Sequence, residues 1–333
     1  MDELEKIVAS APDNFVIQNA IIKCYEIVNS HNKIVCSISG GGDSDVMLDL
    51  LIRCGAKEKT DFVFFNTGLE YQATIDHLEF LEQKYDITIQ RVRSKKPIPV
   101  STREYGQPFW SKFASEMIHR LQLHDFTWED KPYEDLIKEY PKCQTALQWW
   151  CNVTRGKSTQ YAIMRAPYLK EFMIANPPDF KITSQCCTHT KKNPMHAIIR
   201  RGEYDLNCLG IRQSEGGVRA AALKSCFSTG SEIDSFRPIF WFRDIDKEQY
   251  CQHYGVTHSK CYTEYGLIRT GCVGCPFGKR FEDELLVLER YEPKLLKAAN
   301  AVFGNSYAYT RAYLEFRESQ KRGRINESRK HYG

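Results

Sequence analysis

Residues 33–48 read KIVCSISGGGDSDVML: an apolar run, three glycines with an acid and a serine, then apolar residues again. A buried strand that enters a helix through Gly40, Gly41 and Gly42 decides the fold. Glycine carries a conformational-entropy cost, so it suits places where the backbone turns tightly or something approaches it closely. Backbone N–H groups from Ser39 to Ser44, at the positive end of the following helix, make an anion site. The stretch lacks the Lys-Ser/Thr ending of a nucleoside-triphosphatase P-loop and the spacing of G-x-G-x-x-G. A Gly-rich turn capped by Asp43 is the plainer alternative.

Working outward, an amphipathic helix over 14–30 precedes a strand at Lys33–Ser39, and a helix follows from Asp43 to Arg53. DFVFFN (61–66) reads as a strand, Tyr71–Lys84 as a helix and DITIQRV (86–92) as another strand. Strands and helices that alternate through short connections predict crossovers and a parallel sheet. From Pro97 to Pro178 the pattern becomes helical and aromatic. Strand character returns at DLNCLGI (205–211), and a further apolar run, RPIFWF, occupies 237–242. The fold expected is α/β: a twisted, mainly parallel sheet with helices on both faces, a helical insertion and a Cys-rich C-terminal portion. The divisions expected are 1–95 and 181–260 for the α/β domain, 96–180 for the insertion, and 261–333 for the Cys-rich loop with C-terminal helices near 281–302 and 307–320.

The 333 residues are 42% hydrophobic and 26% charged, ordinary for a globular chain, and the net charge of +4 is too mild to imply nucleic acid by itself. No apolar run reaches the ~20 residues of a membrane span, and the acidic start MDELEKIV is unlike a signal peptide. A cytoplasmic location away from any membrane is expected. Thirteen cysteines are many for such a chain, and metal or catalytic roles account for them better than disulfides. Cys24, Cys36, Cys54 and Cys208 sit in apolar patterns and read as core residues.

S-G-G-x-D-S after the first strand resembles the pyrophosphate loop (PP-loop) of the adenine-nucleotide alpha hydrolase group. FFNTGLE (64–70) resembles the second-strand segment of the phosphoadenosine phosphosulfate (PAPS) reductase family within it, with Asn66 where that family usually has Asp. GIRQSEGGVRA (210–220) resembles that family's arginine-bearing segment, with Arg212 and Arg219 in place. The resemblance covers roughly 30–95 and 180–280. It implies that Ser39, Gly40, Gly41, Gly42, Asp43 and Ser44 hold phosphates and that Thr67 and Gly68 line the crevice for adenine or ribose. Asp43, Arg212 and Arg219 are the implied catalytic groups, the arginines pairing with phosphate or sulfate in fork geometry. ATP or an adenylyl sulfate is the implied nucleotide, with Mg²⁺ beside ATP.

TGCVGCPFG places Cys272 and Cys275 in a C-x-x-C loop, and QCCTHTKKNP carries the tandem pair Cys186 and Cys187. Tandem cysteines followed downstream by C-x-x-C resemble the iron–sulfur ligands of adenosine phosphosulfate (APS) reductases, and Lys191 and Pro194 match as well. Four thiolates suffice for a [4Fe–4S] cluster. A second assignment stays open: Cys261, Cys272 and Cys275 form C-x₁₀-C-x₂-C, which resembles DNA phosphorothioation sulfur-transfer enzymes. There Cys261 is a ligand and Cys143 or Cys187 is the fourth. Zinc is the other metal considered.

Assimilatory sulfonucleotide reductases carry a nucleophilic cysteine near the C-terminus, whereas this chain has none after Cys275. Cys143, Cys151, Cys226 and Cys261 are substitutes between which nothing in the sequence chooses. Three functions follow: acceptor adenylation and then thiolation, with a sulfur donor such as a cysteine desulfurase; reduction of APS or PAPS with sulfite release, using a reductant such as thioredoxin; or a nucleotide-binding module whose cluster senses redox state. The segment Glu104–Phe126 mixes aromatics with Lys112, His119, Arg120 and His124, so a nucleic acid is a candidate acceptor; a core stripe with a solvated face is the alternative. The basic end KRGRINESRK reads as a charged terminus that could touch phosphate. An oligomer is compatible with all of this.

Overall fold

The computed structural model describes residues 2–154, 161–216, 222–277 and 281–331, with side chains to 323 in the last segment. Two compact units divide it: residues 1–95 with 190–273, and residues 96–189 with 274–333.

The first unit is built on six strands: β1 (Ile34–Ser37), β2 (Thr60–Asn66), β3 (Ile89–Arg93), β4 (Leu206–Cys208), β5 (Phe227–Ser228) and β6 (Asp234–Phe236). Their order is β3-β2-β1-β4-β6-β5, and only the β5–β6 pair is antiparallel. Strands covered on both faces lose the polar alternation of a half-exposed sheet. The central strand shows this: Ile34, Val35 and Cys36 are fully buried, and Cys36 lies in register between Phe62 of β2 and Cys208 of β4. The helices Gly42–Arg53 and Gln72–Tyr85 make the crossovers from β1 to β2 and from β2 to β3. Met47, Leu50, Leu51, Leu78 and Leu81 bury one stripe of those helices in the same core as Ile17, Ile21 and Phe236. The α/β, mainly parallel expectation is therefore met. Cys24, Cys36, Cys54 and Cys208 are wholly buried core residues, as their apolar settings predict.

The chain runs outward from β1 to β2 and β3, then returns to place β4 on β1's other side. Open parallel sheets bind ligands at such a reversal, beyond the C-terminal strand ends. Here the reversal brings the loops after β1 and β4 together.

The apolar run RPIFWF follows β6, and its Ile239, Phe240 and Phe242 are buried through a turn. One detail differs from the sequence reading. The C-terminal helices break at Glu292, giving Phe281–Tyr291 and one long helix, Pro293–His331. Proline fits that first helical position because its missing N–H would have no intrahelical partner.

The second unit is helical, with an aromatic core. Phe109, Trp149, Trp150, Phe172 and Tyr313 are buried together with Met117, Ile118 and Leu121. Trp150 stacks edge-on against Trp128 at 5.5 Å and donates Nε1–H to the Glu129 carbonyl at 2.9 Å. Phe109 and Phe126 are therefore core residues and not surface platforms for bases. The core stripe is the better reading of that part of Glu104–Phe126. Among the described residues, no helix is long and apolar enough to cross a membrane.

Candidate active site

The loop after β1 needs its glycines. Gly40 has φ +67°, and a Cβ there would stand 2.7 Å from Thr74 Cγ2 on the Gln72–Tyr85 helix. Gly41 and Gly42 bring the backbone against the Thr270 and Tyr262 hydroxyls and against Lys247 and His258. Hydroxyls hold the loop in shape. Ser44 Oγ accepts from Gly41 N–H at 3.1 Å and donates to the Gly41 carbonyl at 2.8 Å, while Ser39 Oγ lies 3.1 Å from it. Gly42 N–H, at the start of the helix Gly42–Arg53, donates to the Tyr262 hydroxyl at 3.2 Å. Thr270 N–H donates to the same phenol at 3.1 Å. A neutral oxygen thus sits where helix-terminal N–H groups attract an anionic one.

Two cations stand beside this loop, both tied to Asp43. Arg212 Nε lies 2.9 Å from Asp43 Oδ2, and Lys247 Nζ lies 3.0 Å from Asp43 Oδ1. Arg212 also reaches Asp244 at 2.8 Å and Ser214 Oγ at 3.0 Å, and the residue is buried. Burial alone would push the Asp43 carboxyl up. The hydrogen bond with Glu215, the Lys247 charge and the Arg212 contacts outweigh it and hold the carboxyl below its usual value.

On the neighbouring strand, Thr67 N–H and Oγ1–H donate to Glu70 Oε1 at 2.9 and 2.6 Å. Burial raises the Glu70 carboxyl despite those bonds. Gly68 takes φ +83° and donates to Asn66 Oδ1 at 2.8 Å, so the amide that replaces the usual Asp shapes the turn. The loop after β1, Thr67, Gly68 and Arg212 thus all belong to one end of one sheet. Arg219 lies outside the described residues.

The candidate ligand cysteines are divided between the two units. Cys261 is fully buried, 3.6 Å from Thr74 Oγ1, and the Cys272 side of the C-x-x-C loop is tied down by Val273 N–H to the Leu69 carbonyl at 3.0 Å. These belong to the first unit. Cys186, on the short helix Gln185–Cys187, is buried in the second unit, and Cys187 and Cys275 are partly exposed there. Among the described residues, no three His, Cys, Asp or Glu side chains are grouped to hold a metal. The donor chemistry of these cysteines suits an iron–sulfur cluster. At the loop, both Asp43 oxygens are engaged by cations.

Lys247 and His258 are absent from the sequence-derived site. Lys247 lies on a polar helix (DIDKEQYCQHY) that carries no motif. Its only local signal is a basic side chain that follows two acids, Asp244 and Asp246, within the first turn.

The loop, the strand reversal and the paired cations define an α/β protein with a strand–loop–helix site at one end of its sheet. Residues 33–149 match the model of the phosphoadenosine phosphosulfate reductase domain. That match, to the family whose motifs the sequence resembles, runs over β1 to β3 and part of the second unit. The chain is 25% identical over 137 residues to an adenosine 5'-phosphosulfate reductase of Oceanobacillus iheyensis, covering 40% of this chain and 52% of the relative. It is 30% identical over 156 residues to an uncharacterised protein of Methanocaldococcus jannaschii, covering 45% of this chain and 30% of that one. The chain therefore spans about half or less of these relatives' lengths. Among solved structures, a PAPS reductase of Candida auris in complex with phosphate aligns over 81% of this chain and 93% of its own, at 10% identity and TM-score 0.42. The U34-tRNA thiolase NcsA of Methanococcus maripaludis, with its [4Fe-4S] cluster, aligns over 90% and 80%, at 14% identity and TM-score 0.37.

Proposed function

We propose that this protein is an enzyme that binds ATP or an adenylyl sulfate at Ser39–Ser44 and acts in sulfur transfer, adenylating an acceptor and then thiolating it. The observation that carries this reading is the pair of cations, Arg212 and Lys247, parked on Asp43 beside a loop whose helix-terminal amide is filled by a phenol. An incoming phosphate would displace the Tyr262 hydroxyl from Gly42 N–H and draw the two cations from the carboxylate. That exchange hands both cations from the Asp43 carboxylate to the multiply charged phosphate. With the α-phosphate so held, attack by an acceptor oxygen releases pyrophosphate, and Arg212 and Lys247 neutralise charge that develops on the phosphoryl oxygens. Adenylation turns a poor leaving group into AMP, which sulfide or a persulfide then displaces. Arg219 is proposed for the same phosphates on its motif position alone.

A [4Fe–4S] cluster on Cys272 and Cys275, completed by Cys186 and Cys187 or by Cys261, belongs to the same proposal. Such a cluster supplies a sulfur-binding or electron-accepting centre when bound. No step above runs through it or through Mg²⁺. The APS reductase relative favours a second reading, in which adenylyl sulfate is the substrate and sulfite the product.

The test is calorimetry with ATP and with adenylyl sulfate on anaerobically purified protein, together with iron analysis, pyrophosphate release and sulfite release. Ser44→Ala and Arg212→Ala should each weaken nucleotide binding. Unchanged affinity in both would remove the site assignment; sulfite without pyrophosphate would select the reductase.

A further inference from the structure

The first turn of the helix Gly42–Arg53, the last turn of the helix Asp244–Tyr254 and the loop after it carry a second chemical group that the phosphate reading does not use. Asp45 is fully buried, and its Oδ2 lies 2.9 Å from His258 Nδ1. The other ring nitrogen, His258 Nε2, lies 3.5 Å from Cys251 Sγ. Cys251 is partly exposed and stands one turn beyond Lys247, the residue that reaches Asp43. His258 also approaches the glycine loop: a Cβ on Gly42 would lie 3.3 Å from its Cε1. A thiol, an imidazole and a carboxylate are thus in series beside the first turn of the loop's own helix.

Other groups around the imidazole leave this chain intact. His77 Nε2 is 3.1 Å from Asp45 Oδ2 but off the line of a hydrogen bond, and Asp45 Oδ1 has no hydrogen-bond partner in its buried position. The Tyr262 ring lies 5.8 Å from the His258 ring, and Lys247 is directed to Asp43. Hydrogen bonds to Asp45 first and Cys251 second, working against burial, raise His258 to about 9. At neutral pH the ring is then an imidazolium: Nδ1–H donates to the carboxylate and Nε2–H to the sulfur.

We propose that Cys251, His258 and Asp45 form a thiolate-generating triad and that Cys251 is the cysteine that receives sulfur for the reaction at the neighbouring loop. His258 stabilises the attacking thiolate and Asp45 is a positioning residue that fixes the ring, a division of labour common to activated nucleophiles. The co-reactant is a persulfide, R–S–SH. The Cys251 thiolate attacks the terminal sulfur, a new S–S bond forms at Cys251, the donor's S–S bond breaks, and its electron pair leaves as R–S⁻. Cys251–S–SH results with no net oxidation or reduction. Two of the cysteines that the sequence offers as a substitute nucleophile have different surroundings. Cys143 contacts the Arg120 carbonyl and Cys151 the Lys131 carbonyl, and burial raises both thiols.

The sulfur-receiving role rests on the thiolation reading, so the test separates the two. Full-length protein is treated with cysteine persulfide at neutral pH, alkylated with iodoacetamide and mapped by peptide mass spectrometry. A second sample is alkylated directly, as a function of pH. Cys251 should gain one sulfur atom and alkylate about tenfold faster than the partly exposed Cys226. In His258→Gln and Asp45→Asn both properties should be lost and the alkylation profile should move to higher pH, while Cys226 is unaffected. If Asp45→Asn does not fold, His258→Gln carries the comparison. Failure of Cys251 to gain sulfur, or a rate that matches Cys226 and ignores His258→Gln, overturns the proposal. Pyrophosphate release from ATP is measured on the same protein. A reactive, sulfur-accepting Cys251 without pyrophosphate release keeps the triad and removes the adenylation reading.

Discussion

Raising the pH should weaken the first unit in a way that His258→Gln abolishes. The folded unit holds the His258 proton to about 9 against 6.5 for an ordinary imidazole, because Asp45 and Cys251 hydrogen-bond its charged form. A folded value above the unfolded one means stability is fully present below 6.5 and is lost as pH rises through about 9. Across that window the folded state binds one proton more than the unfolded state. Unfolding free energy therefore falls by about 1.4 kcal/mol per pH unit, or about 3 kcal/mol in all, of which about 2 is gone by pH 8. The residue is mostly buried, with a side-chain exposure of 21%, so solvent screening takes only a modest share.

Above about 8.5 a second contribution of the same sign sets in, since unfolded thiols then ionise, while burial raises the Cys24, Cys36 and Cys208 thiols in the fold. The diagnostic range is therefore pH 6.5 to 8. Urea melts at several pH values, read by pulsed hydrogen exchange on peptides from the Gly42–Arg53 helix, report this unit and not the whole chain. Wild type should lose about 2 kcal/mol across that range and His258→Gln about none. Parallel pH slopes in the two proteins would refute the assignment of a buried imidazolium to this position.

Gly40→Ala places a side chain at φ +67° and 2.7 Å from Thr74 Cγ2, so it should cost about 1–3 kcal/mol, measured in the same melts; adding Thr74→Ser should recover only the steric part. Trp150→Ala should destabilise the second unit by about 3–5 kcal/mol through lost packing, read by hydrogen exchange over the helix Lys112–Gln122. Lys247→Ala should weaken ATP binding about tenfold or more in calorimetry, comparable to Arg212→Ala, whereas a purely structural lysine would leave affinity within about twofold.

What the sequence disclosed and what it withheld follow from distance along the chain. The glycine loop was legible because its causes are local: an apolar strand, three residues without side chains, and a helix start fall within sixteen consecutive positions. The same holds for the crossover helices, whose buried stripes repeat at helical spacing. β5, at two residues, is too short to leave a pattern, and RPIFWF shows that an apolar run can be buried by a turn as well as by a strand. Arg212 was legible only through the family resemblance of its segment, since its link to Asp43 spans 169 positions. Lys247 and His258 meet Asp43 and Asp45 across 204 and 213 positions and sit in no motif, so nothing local marks them. The two acids are the instructive case. Asp43 and Asp45 look alike in SGGGDSDVML, yet on a helix they point about 200° apart. One faces the cations at the sheet's reversal, and the other is turned inward onto two histidines. An acid that is fully buried with one oxygen lacking a partner is costly to keep. Its presence one turn from the loop is therefore evidence of chemistry at His258 and Cys251, and only the fold reveals that it is buried at all.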